Sequence, residues 1–418
     1  MNKENKMKKG TLSLLGTAAT ALSLSACVVL EWEISYPGAD KHVSEYHELV
    51  ADNDGNIIAL VEIKNSNQVA SQTIIKYSRQ GELLWEQTVP HVFNFDYFFG
   101  NDFLAVTPSN SIIAAGIEYG EGNKLSLLNT NGDIQWTKIF SAEGENPALL
   151  VDVEAGPNDS VLALGLLPEY SAIAYNSAGD ELWRNDGGLR LDHFAVPRPA
   201  ALWGELAANN SGDIYFSNGS AINKLDQNGT TVGRIETNDL GVAYIRDIAV
   251  GNNSIAVLSQ GVNHTQVDLL DNDLNVIVSH SIDFYLQSGM ISISSNESVC
   301  YATQAGDQMG DTHVTGKLTS NGLAWEQQNE NQRNHRELAR VNAVQEECRV
   351  STIEADGIYG AISFTRIHDN TGKLTDTVEI KEFAGWTTLH IGNEIISGGF
   401  GQSDEQDHIA RLYKHKVQ

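Results

Sequence analysis

The chain has 418 residues and a formal net charge of −27, long enough for two or three domains and strongly acidic. Such a surface repels phosphate backbones, which excludes nucleic acid as an expected partner, and it disfavours contact between the protein body and anionic lipid head groups. Eight prolines and the lack of any Pro-rich or Ser/Gly-rich tract leave no linker at which to divide the chain.

The first elements in chain order are those of an export signal. Lys3, Lys6, Lys8 and Lys9 make a basic start, and Leu12 to Leu24 is an apolar segment too short to span a bilayer. Leu24-Ser25-Ala26-Cys27 follows and resembles the bacterial lipobox, in which the signal is cut before a cysteine that becomes lipid-modified. Val28 is not the aspartate that marks inner-membrane retention in enteric-type bacteria, so the resemblance implies an outer-membrane lipoprotein of the cell envelope. Its anchor would be a lipid on Cys27 rather than a transmembrane helix. The expected organisation is a signal peptide over 1–26 and a single domain over 27–418. Loss of 1–26 removes four lysines and Glu4, a net +3, so the mature charge becomes −27 − 3 = −30. That charge serves solubility, or attracts a basic partner or divalent cations.

Beyond the signal the chain repeats one phrase. An apolar stretch meets a polar turn with glycine and then a Trp-bearing strand: Ile75 to Trp85 around Gly81, Leu127 to Trp136 around Gly132, and Ala174 to Trp183 around Gly179. Weaker copies centre on Gly229, Leu274, Gly322 and Gly372, with spacings of 51, 47, 50, 45, 48 and 50 residues. A period of this length built only of strand-like units is the signature of propeller blades. Ahead of each phrase lies a second turn between apolar runs, first at Asp52-Asn53-Asp54-Gly55-Asn56 and later near Asn110, Asp159, Gly212, Asn253, Glu297, Glu347 and Asn393.

These hairpins number eight and the Gly phrases seven. The chain ends at a strand matching the third of a blade, His408 to Lys414, while Leu30 to Pro37 resembles Leu84 to Pro90, the fourth strand of the first repeat. The N-terminal strand is therefore expected to complete the last blade and close the ring. The expected fold is all-β: an eight-bladed β-propeller of four antiparallel strands per blade, monomeric. Its blades fall at about 43–90, 93–140, 146–186, 190–236, 240–282, 286–330, 337–380 and 383–418 with 29–37. The fourth is the least regular, with Arg198-Pro199 and Trp203 in its entry loop, and His91 to Phe99 is an aromatic segment suited to packing beneath a loop or to a contact patch.

A glycine followed three or four residues later by Trp on the outer strand (Trp32, Trp85, Trp136, Trp183, Trp325) resembles the quinoprotein-type repeat. That family includes pyrroloquinoline-quinone dehydrogenases and the propeller lipoprotein of the outer-membrane β-barrel assembly machinery. The family's Ala-x-Asp ahead of Thr-Gly is replaced here by Asn129-Thr130-Asn131-Gly132 and Asn176-Ser177-Ala178-Gly179. The resemblance implies the fold and a place among other envelope proteins as partners. The adjacent cysteine pair of the quinone-dependent alcohol dehydrogenases is lacking, so no cofactor is expected.

No nucleophile elbow, His-Glu-x-x-His, Cys-x-x-Cys or phosphate loop occurs, and the twelve histidines show no metal-like spacing. Asp52 to Asn56 imitates the start of a calcium loop but sits at a recurring hairpin, where an Asx-rich turn is expected. Aligned copies of the innermost strand bring Glu48, Asp152, Glu205, Asp247 and Asn342 to one level, with Phe103, Ser292 and Thr388 in the other blades. Such a ring lines a water-filled channel, or holds a cation or a basic side chain; a one-residue slip turns it away. Cys300 and Cys348 stand 48 residues apart, one repeat, on similar strands of neighbouring blades. A disulfide requires them to face each other across the interface, and the ~10 Å between packed sheets favours two buried free thiols. The resulting functional expectation is a membrane-anchored, non-catalytic interaction scaffold. The alternative is a propeller-type hydrolase or lyase with a divalent metal in the acidic channel.

Overall fold

Alternation with period two, interrupted by Asx and glycine turns, folds into hairpins, and four-strand hairpin sheets stack face to face around an axis. The structure, a computed structural model, describes residues 28–36, 41–65, 70–89, 103–118, 122–140, 149–166, 170–187, 204–209, 211–283, 288–307, 310–330, 336–344, 347–355, 361–381, 383–402 and 408–417. The signal segment 1–26, Cys27, the aromatic segment 91–99 and the loop with Arg198, Pro199 and Trp203 lie outside these residues.

Blades 1 to 7 occupy 41–89, 104–140, 149–186, 206–236, 244–282, 288–330 and 336–381, each an antiparallel four-stranded meander. Blade 8 takes three strands from 383–417 and its fourth from Val28–Tyr36, so the protein is an eight-bladed β-propeller. The N-terminal strand runs antiparallel to His408–Val417, from Val28 opposite Val417 to Tyr36 opposite Ala410. Blade 4 has the shortest strands, down to Leu206–Ala208, and a single helical turn, Thr237–Leu240, follows it.

The core lies between blades. On Ile57–Asn65, Ile58 and Leu60 face Ile112, Ala114 and Leu125 of blade 2, whereas Ile57, Ala59 and Val61 face Ile396, Ala410 and Leu412 of blade 8. A strand covered on both faces explains why these runs are apolar throughout instead of half polar.

A second contact locks blade to blade at the rim. Trp85 lies against Gly132 of the next blade, Trp136 against Gly179, Trp183 against Gly229 and Trp325 against Gly372. Trp85, Trp136 and Trp183 also donate through Nε1 to the carbonyls of Thr130, Ser177 and Gln227, at 3.0, 3.1 and 3.0 Å. Only glycine lets the turn approach the ring so closely, and the turns take positive φ (Gly132 at +87°). Between blades 4 and 5 the two sizes are exchanged. Gly233 stands at the tryptophan position and Leu274 (φ +66°) at the glycine position, its Cδ1 3.4 Å from where a Gly233 Cβ would be. The seam stays filled with the large side chain supplied by the other partner.

Blade 8 meets blade 1 through charge as well. Glu394 receives Arg79 Nε at 2.7 Å and Lys414 Nζ at 2.9 Å, and Lys414 also reaches Glu31 at 3.1 Å and the Arg79 carbonyl at 2.8 Å. Burial works to raise the Glu394 pKa, but the bonds from Arg79 and Lys414 outweigh it and hold the carboxyl below its ordinary range.

Cys300 and Cys348 are joined in a disulfide with Cα atoms 5.6 Å apart, which corrects the expectation of free thiols. The ~10 Å spacing applies to sheets packed in parallel layers. Propeller blades instead converge toward the axis, and both cysteines sit on the second strand of their blade, among Ala302, Val341 and Val350.

Candidate functional site

The innermost strands carry the acidic residues that sequence alignment gathers at one level. In three of them a β-bulge immediately precedes the acid: the register shifts between Tyr46 and Glu48, Leu150 and Asp152, and Ile245 and Asp247. The extra residue re-aims the side chain that follows it.

Each of these carboxylates reaches the inner strand of the next blade. Glu48 Oε2 accepts from the Phe103 N–H at 2.8 Å, Asp152 Oδ2 from the Leu206 N–H at 2.7 Å, and Asp247 Oδ2 from the Ile291 N–H at 2.8 Å. Asp152 Oδ1 also accepts from the Val153 N–H at 2.8 Å. Ser292 does the same with its hydroxyl, accepting from the Ala343 N–H at 3.1 Å. The inner strand is the axial edge of its blade, and these bonds take up backbone donors there.

This corrects the expected channel ring. Glu48 and Asp152 are 7% and 2% exposed and lie in the seams between blades. Glu205 and Asp247 are half-buried and do line an axial cavity of about 320 Å³, together with Glu154 and Asn342. Glu154 was missed by the alignment; its only sequence signal is an acid two places beyond Asp152 on the same strand. Among the described residues, no three His, Cys, Asp or Glu side chains come together to hold a metal ion.

Asp52 belongs to a turn. Its Oδ1 accepts from the N–H groups of Asp54 and Asn56 at 3.0 and 2.8 Å, and its Oδ2 meets Asn56 Nδ2 at 2.9 Å and Lys76 Nζ at 2.8 Å. The carboxylate is fully engaged within its own blade, by its Asx-rich turn and by Lys76 of the third strand. On the rim, His280 Nε2 and the Tyr301 hydroxyl both meet Glu326 Oε2, at 2.6 and 2.7 Å. Burial first, then the hydrogen bond and charge of Glu326, push the Tyr301 phenol far above its ordinary range, so it stays protonated as a donor.

No known protein family matches the sequence, and no curated protein matches it. Solved structures do share the architecture. Sqt1 of Chaetomium thermophilum is 12% identical with a TM-score of 0.56, over 89% of this chain and 96% of that one. A protein of unknown function from Bacteroides caccae is 12% identical with a TM-score of 0.39, over 69% of this chain and 94% of its own. One from Dyadobacter fermentans is 10% identical with a TM-score of 0.40, over 94% and 99%. At 12% identity the likeness to Sqt1 shows the propeller fold alone.

Proposed function

We propose that the protein is a lipid-anchored, non-catalytic propeller of the bacterial cell envelope, most at home on the outer membrane, which offers its ring to other envelope proteins. The observation that carries this reading is the place of Cys27. It follows the lipobox-like Leu24-Ser25-Ala26 and directly precedes Val28, the first residue of the ring-closing strand, which pairs with Val417. A lipid there would hold the ring at a membrane without a tether. Among the described residues no helix is long and apolar enough to cross a bilayer.

The non-catalytic part rests on two of the carboxylates, since Glu48 and Asp152 are buried in the seams and engaged with backbone donors of neighbouring blades. Residues spent on holding blades together are unavailable for acid–base or ligand work. The resemblance to quinoprotein-type repeats, including a lipoprotein of barrel assembly, supports the same reading. The rival, a metal-dependent hydrolase or lyase, would have to draw on Glu154, Glu205 and Asp247 around the axial cavity.

The test is the Cys27→Ala chain expressed in its own cell type. Loss from the membrane fraction or a block in processing is expected, and the wild-type N-terminal peptide should carry the acyl mass. Unchanged fractionation and an unmodified peptide would overturn the anchor. Affinity capture of the acylated protein from the envelope should recover reproducible protein partners, and a stoichiometric divalent ion in the purified protein would favour the enzyme instead.

A further inference from the structure

The sequence contains four Asn-Gly pairs, at Asn131, Asn218, Asn228 and Asn321. In such a pair the glycine nitrogen can swing onto the asparagine side-chain amide with no side chain of its own in the way. The attack needs the turn to rotate until nitrogen and amide carbon stand about 3–3.5 Å apart in line. The four turns differ in how far they permit that rotation.

Asn218 is 3% exposed, and its Oδ1 accepts from the N–H groups of Ser220 and Ala221 at 3.2 and 2.9 Å, which fixes the amide. Asn131 and Asn228 are exposed, but their turns are held from two sides. Asn129 Oδ1 accepts from the Asn131 and Asp133 N–H groups, both at 2.9 Å, while Trp85 covers Gly132 and donates to the Thr130 carbonyl at 3.0 Å. Asp226 Oδ1 accepts from the Asn228 and Thr230 N–H groups at 2.9 and 2.8 Å, while Trp183 covers Gly229 and donates to the Gln227 carbonyl at 3.0 Å.

Asn321 has neither restraint. Four residues separate the paired Leu318 and Leu323, where five separate Leu128 from Ile134 and Leu225 from Thr231. Thr319 stands where the other turns have Asn or Asp; its Oγ1 accepts from the Asn321 N–H at 3.3 Å and donates to the Gly322 carbonyl at 3.1 Å. Nothing lies within 4 Å of where a Gly322 β-carbon would be, and blade 5 carries Val278 at the tryptophan position. Asn321 itself is exposed.

We propose that Asn321 is a site of spontaneous deamidation in the folded protein. The Gly322 nitrogen loses its proton to solvent hydroxide and bonds to Asn321 Cγ, and the bond from Cγ to the side-chain nitrogen breaks, releasing ammonia. Water then opens the resulting cyclic imide at either carbonyl and leaves aspartate or isoaspartate. One water is consumed and one ammonia released, with no change of oxidation state. The product carries one further negative charge. Its isoaspartate form also lengthens the main chain by one carbon just ahead of Leu323 and Trp325. This modification does not depend on the lipid anchor.

Mass-spectrometric peptide mapping of the full chain, incubated folded in mildly alkaline buffer, tests it. Conversion at Asn321 should run at least about tenfold faster than at Asn131, Asn218 or Asn228. In denaturant the four rates should converge, because no turn is then held. Trp85→Ala should bring Asn131 up toward Asn321, and Trp183→Ala should do the same for Asn228 if the first variant does not fold. Equal rates at the four sites in the folded chain overturn the proposal, as does an Asn321 that stays intact while the denatured chain converts. A spread of rates that survives in denaturant assigns the order to flanking sequence and overturns it too. So does a folded tryptophan variant whose uncovered turn stays inert.

Discussion

The indole of Trp32 covers Gly81, at 3.1 Å from where a β-carbon would stand, and its Nε1 donates to the Arg79 carbonyl at 3.4 Å. Trp32 comes from the first strand and Gly81 from blade 1, so this contact repeats the rim lock of the continuous blades across the point where the ring closes. At 9% exposed, Trp32 is more deeply covered than its counterparts Trp85, Trp136 and Trp183.

Trp32→Ala should cost about 3 kcal/mol, from lost burial and an unfilled seam. Removing residues 28–36 should do more, leaving an unpaired edge on His408–Val417 that invites protease and aggregation. Denaturant midpoints and limited proteolysis measure both. An unchanged midpoint after the deletion would make the strand a mere tether.

Glycine turns should respond according to what faces them. Gly229 has φ +76° and an added Cβ would lie 2.4 Å from the Trp183 ring, whereas Gly322 has φ +112° and nothing within 4 Å. Gly322→Ala should show only the backbone cost, roughly 1–2 kcal/mol, and Gly229→Ala at least 1 kcal/mol more. Equal losses on thermal unfolding would mean that the rings are loosely held. Leu274→Gly, restoring the common turn residue, should destabilise because Gly233 offers no side chain to fill the gap.

The inner-strand acids should behave as clamps. Asp152→Ala leaves the Leu206 N–H without its acceptor and should cost about 1–3 kcal/mol, while Asp152→Asn keeps one oxygen and should cost less. Hydrogen exchange at Leu206 reads the effect directly. Exchange unaltered in the alanine variant would refute the clamp.

Acid should weaken the closing blade. His415 pairs with Leu30 across the closure, and burial pushes its pKa down to about 4. The unfolded chain regains an ordinary imidazole near 6.5, so between about pH 6.5 and 4 it binds a proton that the folded protein refuses. Stability should therefore fall as pH drops through that window, by about 3 kcal/mol at its lower end. Glu394, held below the ordinary glutamate range, should add a further loss at still lower pH as it takes up its proton. His415→Gln should flatten the first step in a series of denaturant midpoints, and an unchanged slope would assign it elsewhere.

Reduction of Cys300–Cys348 should lower stability by about 2–4 kcal/mol, as expected for a closed loop of this length. Thermal unfolding with and without reductant, compared with the Cys348→Ser variant, measures it. No difference would place the constraint elsewhere in blades 6 and 7.

Blade number, the closing strand and those blade limits that fall among the described residues were legible in the sequence because they depend on local, periodic signals. The glycine turn needs positive φ, the strands alternate with period two, and Trp32 echoes Trp85 in a strand with no phrase of its own before it. The roles of Glu48, Asp152 and Asp247 were not legible. Aligned copies place them at the right level, but the bulge ahead of each inserts one residue into one strand, and a pattern of period two cannot say where such an insertion falls. The Cys300–Cys348 bond depended on how closely two blades converge near the axis, a distance set by the whole ring. The exchange of Gly233 and Leu274 looks in sequence like two weak repeats. It makes sense only when the two positions touch across a seam. Local chemistry determined which strands form and where they turn, and the closed packing of eight wedges decided what each side chain meets.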